Sequence, residues 1–536
     1  MKVKVNFTFF AREINRLLGA GIGSKYFYGQ FYCLKREKSV SLLTQNPNDM
    51  RRIAILCVLL AAISCYGKVN PPAPYGPIPS ARQLAWHDLN FYAFIHLTTN
   101  TFNDMEWGYG DADPNIFNPT ELDAEQWMRA LKAAGMKGVV LTCKHHDGFC
   151  LWPTELSDYS VKNSQWRDGK GDVPAEVSKA ARKYGLKFGI YLSPWDRHDM
   201  RYGTPEYIDY YRGQFQELSR RYGPLFEVWQ DGANGGDGYY GGLKEERKID
   251  NRVYYDWKNT NYMIREMEPQ ACIFSDGGPD CRWCGNEEGH IGETNWGTIT
   301  RANFAPGHGD RNHLRYGDEE GTDWVPAEVD VSIRPGWFFH EKENSKVKTV
   351  EQLLDIYYTS IGRGANLILN IPPNKQGLFN EEDVKALEGL GAALKQEFSN
   401  CLNGKIAKAE ASNERGGSKE YGIRKAIDSK DESYWATDDE VREATLTFTF
   451  RQPTKVNRAM LREYLPLGQR ISQFTLEAQT ESGQWQKVAA ETTIGNKRLL
   501  RFPDITAQAL RINIKGSKAC PVLSDVKFYC SPNPIH

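Results

Sequence analysis

Between Phe91 and Phe398, short apolar runs of strand character alternate with helix-like segments, and this alternation constrains the chain more than any other feature. Eight strand candidates can be placed, at Phe91–Leu97, Gly138–His145, Lys187–Ser193, Leu225–Asp231, Ala271–Asp276, Gly289–Asn295, Ala327–Ile333 and Asn366–Ile371. Asp123 caps a helix with Ala124, Trp127, Met128, Leu131 and Ala134 on one face, closed by Gly135. Asp172 caps another with Val177, Ala180, Ala181 and Tyr184, closed by Gly185, and Pro205–Tyr222 and Val350–Ile361 read as further helices. Eight strands alternating with helices over residues 71–399 predict an α/β fold of the TIM-like (β/α)8 barrel type. A doubly wound open sheet is the alternative, but no Gly-rich phosphate turn follows the first strand.

After Asn400 the period changes. Thr445–Phe450, Phe474–Ala478, Lys497–Phe502 and Leu510–Ile514 alternate in the manner of strands, which predicts a C-terminal β-sandwich over residues 400–533. Trp435 is the one exposed-looking aromatic of this region. Upstream, Met50-Arg51-Arg52, an apolar run from Ile53 to Ile63 and Ser64-Cys65 have the form of a secretory signal at 50–68. The run is too short to span a bilayer. Ala62-Ile63-Ser64-Cys65 is similar to a bacterial lipobox with Ala62 in place of the usual Leu, which leaves lipidation of Cys65 open. Residues 1–49 read as an upstream extension without a domain, ahead of a start at Met50.

The 67 Lys and Arg against 68 Asp and Glu give a net charge of -1, but the first 65 residues hold ten of the former and three of the latter. The remainder carries a net charge of -8, so no basic excess points to nucleic acid. Cys281-Arg-Trp-Cys284 is a single CxxC with no second pair at zinc-finger spacing, and reads as a local disulfide or two free thiols.

In a (β/α)8 barrel the reacting groups sit at the carboxyl ends of the strands. Those ends are polar here: His96 after strand one, Lys144-His145-His146-Asp147 after strand two, Tyr191 in strand three, and Trp229-Gln230-Asp231-Gly232 after strand four. The loop after strand one adds Glu106-Trp107-Gly108, and that after strand five adds Asn286-Glu287-Glu288-Gly289. Aromatic, imidazole and carboxyl groups together suit a sugar, whose hydroxyls take hydrogen bonds while its C–H faces pack on rings. Each group has a plainer reading too. Adjacent His145 and His146 on a strand point to opposite sides and make a poor metal chelate. Asp231 resembles a loop cap, Glu287 and Glu288 a solvated pair, and Trp107, Trp195, Trp229 and Trp296 core residues.

Phe94-Ile-His-Leu-Thr-Thr-Asn-Thr-Phe102 with Glu106-Trp107-Gly108, Lys144-His-His-Asp-Gly-Phe149, Tyr159-Ser-Val-Lys-Asn163, Gly189-Ile-Tyr-Leu-Ser-Pro-Trp-Asp196 and Glu227-Val-Trp-Gln-Asp-Gly-Ala233 follow one another in order. Together they resemble the α-L-fucosidases of glycoside hydrolase family 29, collinearly from about Pro77 to Phe398, and the tail to Pro532 is similar to the discoidin-like β-sandwich those enzymes carry, which either recognises galactose-type residues beside the fucose or only buttresses the barrel. The resemblance implies an exo-acting, retaining hydrolase without cofactor or metal, acting on a fucosylated oligosaccharide or glycoconjugate. It makes Asp231 the nucleophile and Glu287 the general acid/base, with Glu288 as the alternative. It assigns His96, Glu106, Trp107, His145, His146, Tyr191 and Trp229 to the fucose ring. Gln230 stands where relatives often carry an aromatic residue. Ser275-Asp-Gly-Gly-Pro-Asp-Cys-Arg-Trp283 followed by Asn286-Glu-Glu-Gly289 is similar to the branch restricted to α-1,3 and α-1,4 linkages, as opposed to the broad-specificity branch; a fucose-binding protein without catalysis is the other alternative. With the leader, this implies an exported protein of a glycan-degrading bacterium, periplasmic or an outer-membrane lipoprotein, touching membrane only through a lipid on Cys65.

Overall fold

A computed structural model describes residues 69–533; the expectations for residues 1–49, the leader at 50–68 and Cys65 fall outside that range. Eight parallel strands close on themselves in chain order: β1 (Phe91–Ile95), β2 (Gly138–Lys144), β3 (Lys187–Leu192), β4 (Glu227–Trp229), β5 (Cys272–Ser275), β6 (Cys281–Trp283), β7 (Ala327–Ser332) and β8 (Asn366–Asn370). The last returns to the first with Phe91 opposite Leu367 and Phe94 opposite Asn370. Outside the ring lie α1 (Ala124–Ala133), α2 (Val173–Tyr184), α3 (Glu206–Tyr222), α4 (Trp257–Met267), α5 (Val350–Thr359) and α6 (Glu381–Ser399). The expected caps form: Asp123 accepts from the amides of Glu125 and Gln126, and Asp172 from that of Ala175. Gly185 ends α2 at φ 70°, a conformation that disfavours any residue with a Cβ. Among the described residues no helix is long and apolar enough to cross a membrane.

Strand six differs from expectation. It is Cys281–Trp283, not Gly289–Asn295, so the loop bearing Glu287 follows β6 and not β5. Parallel neighbours ordinarily need a crossover of a dozen or more residues, yet only residues 276–280 separate β5 from β6, with Phe274 opposite Cys281. The side chain of Asp280 makes this short return possible: Oδ2 accepts from the Ile273 amide at 2.9 Å and from Arg265, and Oδ1 accepts from Arg82 at 3.0 Å. Arg282 hides the strand further, because its buried guanidinium is spent on the carbonyls of Leu314, Val325 and Trp296. The segment expected as strand six runs along the sandwich instead, where the Asn295 amide donates to the Thr493 hydroxyl and its carbonyl accepts from Gln469. All eight cysteines among the described residues are free thiols, Cys281 and Cys284 included.

The sandwich is made by bending two long strands, β11 (Ala444–Glu463) and β14 (Arg498–Ser517). The first half of β11 pairs with β9 (Ile406–Ala411) and its second half with β15 (Val522–Tyr529), while β14 follows it throughout. Register shifts between Thr449 and Thr454 and between Val456 and Arg458 mark the bends. Two runs expected as separate strands, Lys497–Phe502 and Leu510–Ile514, are thus the ends of β14, apart from Lys497 itself. The short β10 (Trp435–Ala436), β12 (Ile471–Gln479) and β13 (Trp485–Glu491) complete the two layers. Trp435 is 0% exposed and donates its indole N–H to the Asn413 carbonyl, so it is a core residue and not the exposed aromatic expected.

Barrel and sandwich are joined by a buried ion pair. Arg458 of β11 reaches Glu397 of α6 at 2.5 and 3.1 Å, and Tyr358 and Ser531 donate to the same carboxylate. Burial raises the Glu397 pKa, but these donors outweigh it and hold the carboxyl below the usual glutamate value. The contribution is therefore present at neutral pH and is lost as the pH falls through that lowered value. Glu397→Ala leaves a guanidinium buried without its partner and is expected to destabilise the seam by about 3–5 kcal/mol. In calorimetry at pH 7 the sandwich should then melt ahead of the barrel; an unchanged endotherm would show that the pair does not hold the domains together.

Candidate active site

Each of the eight strands delivers a polar or aromatic group to the same rim. His96 stands one residue past β1, His145 directly past β2, Tyr191 within the last turn of β3 and Asp231 two residues past β4. Asp276 follows β5, Glu287 lies four residues past β6, Trp337 five past β7, and Asn370 ends β8. At the centre the Tyr191 hydroxyl donates to Asp231 Oδ2 at 2.8 Å and the Ala233 amide to Oδ1 at 2.9 Å, which fixes the plane of the carboxylate. His146 Nε2 lies 3.8 Å from Oδ2, and its other nitrogen pairs with the Ser193 hydroxyl at 2.7 Å. Gln230 turns away to Asn261 and does not border the carboxylate.

His145 and His146 do not point to opposite sides. Their rings lie 4.0 Å apart on one face, because β2 ends at Lys144 and the chain turns through His146 and Asp147. Turning at this point is anchored below by Lys144, buried against Asp196 at 2.9 Å. His145 packs parallel to Tyr191, and His96 pairs with the Asn370 amide oxygen at 2.8 Å. Burial lowers all three imidazoles, His96 and His146 to about 4 and His145 well below its ordinary value, so they are neutral at pH 7. Trp107 is 52% exposed and stands edge-on to His146 and Trp195, a ring offered to a ligand and not a core residue. Arg197 steadies it by donating to the carbonyls of Trp107 and Gly108.

Glu287 and Glu288 separate clearly. Glu287 Oε2 accepts from the Trp337 indole at 3.1 Å, and partial burial followed by the charges of Asp231 and Glu106 raises its pKa, although one side of it remains open to solvent. Glu288 is exposed and faces His290. Three residues that the sequence did not single out complete the site. Trp337 and Phe338 offer their amides to Glu106 at 2.8 and 3.1 Å, and His340 binds the same carboxylate at 2.7 Å with Asp104 on its other nitrogen. Burial opposes the charge on His340, but the two carboxylates prevail and raise its pKa. The aromatic run Trp337-Phe-Phe-His340 just past a strand end was the signal for them. Asp276 crowds Gly232, accepts from the Gly307 amide at 2.8 Å, and is pushed up to about 7 by burial and by Asp231.

Trp229 lies deeper. It stacks on Phe274 at 4.0 Å and donates to Glu328 at 2.7 Å, so it forms the floor beneath Tyr191. Glu227, Cys281 and Glu328 place ligand-type atoms within 4.8 Å of one another under that floor. Burial and Glu328 raise Glu227 far above the usual range, and its Oε2 meets no donor, so it carries a proton shared with Glu328. Tyr92 and Trp229 also donate to Glu328. A proton, together with these donors, thus satisfies the set.

The alpha-L-fucosidase family pattern matches residues 81–397 and the F5/8 type C domain pattern residues 408–524. The chain is 44% identical over 462 residues to alpha-L-fucosidase 1 of Arabidopsis thaliana, covering 85% of this chain and 88% of that one. A crystal structure of a glycoside hydrolase 29 family member from an unknown rumen bacterium superposes with a TM-score of 0.77 at 41% identity, covering 86% of this chain and 79% of the other. The Ruminococcus gnavus family 29 fucosidase solved in complex with fucose gives 0.77 at 32% identity, covering 87% and 98%. The chain belongs to the α-L-fucosidases of glycoside hydrolase family 29.

Proposed function

We propose that the enzyme is exo-acting and retaining, releasing terminal L-fucose from α-1,3/1,4-fucosylated glycans by double displacement. The observation that carries this reading is the contrast between two carboxyls: Asp231, fixed by two hydrogen bonds at the rim's centre, and Glu287, raised by burial and by Asp231 itself. A retaining glycosidase needs one carboxylate to attack and one carboxylic acid to give its proton to the leaving oxygen, about 5–5.5 Å apart. Asp231 attacks the anomeric carbon from the β face while Glu287 protonates the glycosidic oxygen. Glu287, then ionised, takes a proton from the water that displaces Asp231. Three neutral imidazoles suit this chemistry because each can bond a ring hydroxyl without adding positive charge beside the attacking carboxylate, His96 and His146 through Nε2 since Asn370 and Ser193 hold their Nδ1.

Asp276 supports the linkage preference. A carboxyl near pH 7 in its titration, next to Asp231 in the loop that carries the branch-like motif, donates a hydrogen bond to a hydroxyl of the sugar bearing the fucose. The pattern at 50–68 supports a protein that works outside the cytoplasm, in the periplasm or, with a lipid on Cys65, at the outer membrane of a glycan-degrading bacterium. A Lewis-type trisaccharide should be cleaved much faster than 2′-fucosyllactose; equal rates would assign the enzyme to the broad-specificity branch.

Asp231→Gly should lower kcat on an aryl α-L-fucoside by about 10³–10⁵-fold, with azide restoring turnover as β-fucosyl azide. Glu287→Ala with azide should yield the α-azide, whereas Glu288→Ala should stay within about twofold of the parent. Retained activity in the Asp231 variant, or azide rescue in the Glu288 variant only, would overturn the assignment. The pH profile of kcat/KM should fall on its alkaline side as Glu287 loses its proton above the usual glutamate range, and that limb should vanish in Glu287→Ala. His340→Ala, which frees Glu106, should lower kcat/KM about 10–100-fold, mainly through KM. His340→Gln, able to keep one hydrogen bond to Glu106, should recover part of the loss.

A further inference from the structure

A cavity of about 320 Å³ opens at the end of the barrel opposite the catalytic rim, where the strands begin. Its walls include Asn90 just ahead of β1, Lys137 just ahead of β2, Tyr357 of α5, Lys395 of α6, and Lys497 just ahead of β14 in the sandwich. Three lysines therefore border one space at the seam of the two domains, Lys497 half-buried and Lys137 and Lys395 exposed. Among the described residues Lys395 and Lys497 have no ion pair or hydrogen bond, and Lys137 donates only to the Asp88 carbonyl. Arg462 adds a fourth cation, 3.7 Å from the carboxylate of Asp88. Lys527 near Lys497 is already paired with Asp525 at 2.7 Å.

Desolvating an ammonium without a counter-ion is costly, and here that cost falls on Lys497, since Lys137 and Lys395 are exposed at the cavity mouth. Burial, then the charges of Arg462, Lys137 and Lys527, bring the Lys497 ammonium down to about 7, with Asp88 opposing only weakly. A half-buried ammonium with two further lysines at the same cavity, none of the three in an ion pair among the described residues, favours an anion with several oxygens. The cavity holds the volume of about ten waters, enough for a tetrahedral oxyanion on a small sugar.

We propose that this cavity is a binding site for an oxyanion of the phosphate or sulfate class, free or as a monoester on a sugar, held by Lys497, Lys395 and Lys137. It lies at the far end of the barrel from Asp231 and Glu287, so occupancy ties barrel to sandwich and leaves the chemistry alone. This inference does not rest on the proposed linkage or mechanism.

The test titrates inorganic phosphate and sulfate into the full-length protein at pH 7 and constant ionic strength, by calorimetry and by Tm. Saturable binding and a Tm rise of about 2 °C or more are expected. Lys497→Met and Lys395→Met should each weaken phosphate at least tenfold, with turnover of an aryl α-L-fucoside within twofold of the parent. Galactose 6-phosphate and galactose 6-sulfate distinguish the sources: tighter binding than the inorganic ions identifies an esterified sugar as the ligand, and equal or weaker binding identifies the free anion. No saturable response in the parent protein, or an equal response in the Lys395→Met Lys497→Met double variant, would overturn the proposal. Should the Lys497→Met change prevent folding, Lys497→Gln and the single Lys395→Met variant carry the same comparison.

Discussion

Closing eight parallel strands into one ring forces all eight carboxyl ends onto a single rim, and the catalytic chemistry depends on that constraint. No loop has to travel far to bring Asp231, Glu287, Tyr191 and the three histidines together, because the ring already does so. What the loops decide is which group reaches inward and which stays in solvent. Glu287 and Glu288 are neighbours in the chain, but the Trp337 indole from the following strand's loop holds only the first. The ring thus fixes position, and contacts between adjacent loops fix role.

Desolvation then sets the protonation states. At the rim it makes His96, His145 and His146 neutral and raises Glu287, so the same physical effect serves two different ends. Beneath the rim it drives the Glu227 and Glu328 carboxyls to share a proton, which allows Trp229 to stand on a polar support without a net buried charge pair. The site therefore holds few full charges, and Asp231 is placed where few competing cations approach it. His340 differs, because Glu106 and Asp104 raise its pKa, and it meets both of them outside the reacting centre.

Much of this was legible in the sequence, and the parts that were not share a physical cause. Seven strands and the caps at Asp123 and Asp172 could be read because alternation and capping are local properties. Strand six could not, since a three-residue strand with a buried arginine carries no apolar run, and its tight return depends on Asp280 meeting Arg82, far away in the chain. Trp337 and His340 were missed for the same reason: their importance lies in reaching Glu106, more than two hundred residues earlier. Trp435 misled because an aromatic flanked by polar residues looks exposed until the two bent strands fold over it. The histidine pair misled because strand alternation was extended one residue beyond where β2 ends.

Barrel and sandwich are linked by charge as well as by apolar packing, and the two charged features at their seam are opposite in kind. Arg458 and Glu397 form a closed account, each satisfying the other out of water. Lys137, Lys395 and Lys497 form an open one, with positive charge gathered at the barrel's lower end and no carboxylate committed to it. A seam built only to stay shut needs the first and gains nothing from the second. The presence of both implies that part of the contact between the domains is completed from outside the chain, at the end of the barrel farthest from the sugar.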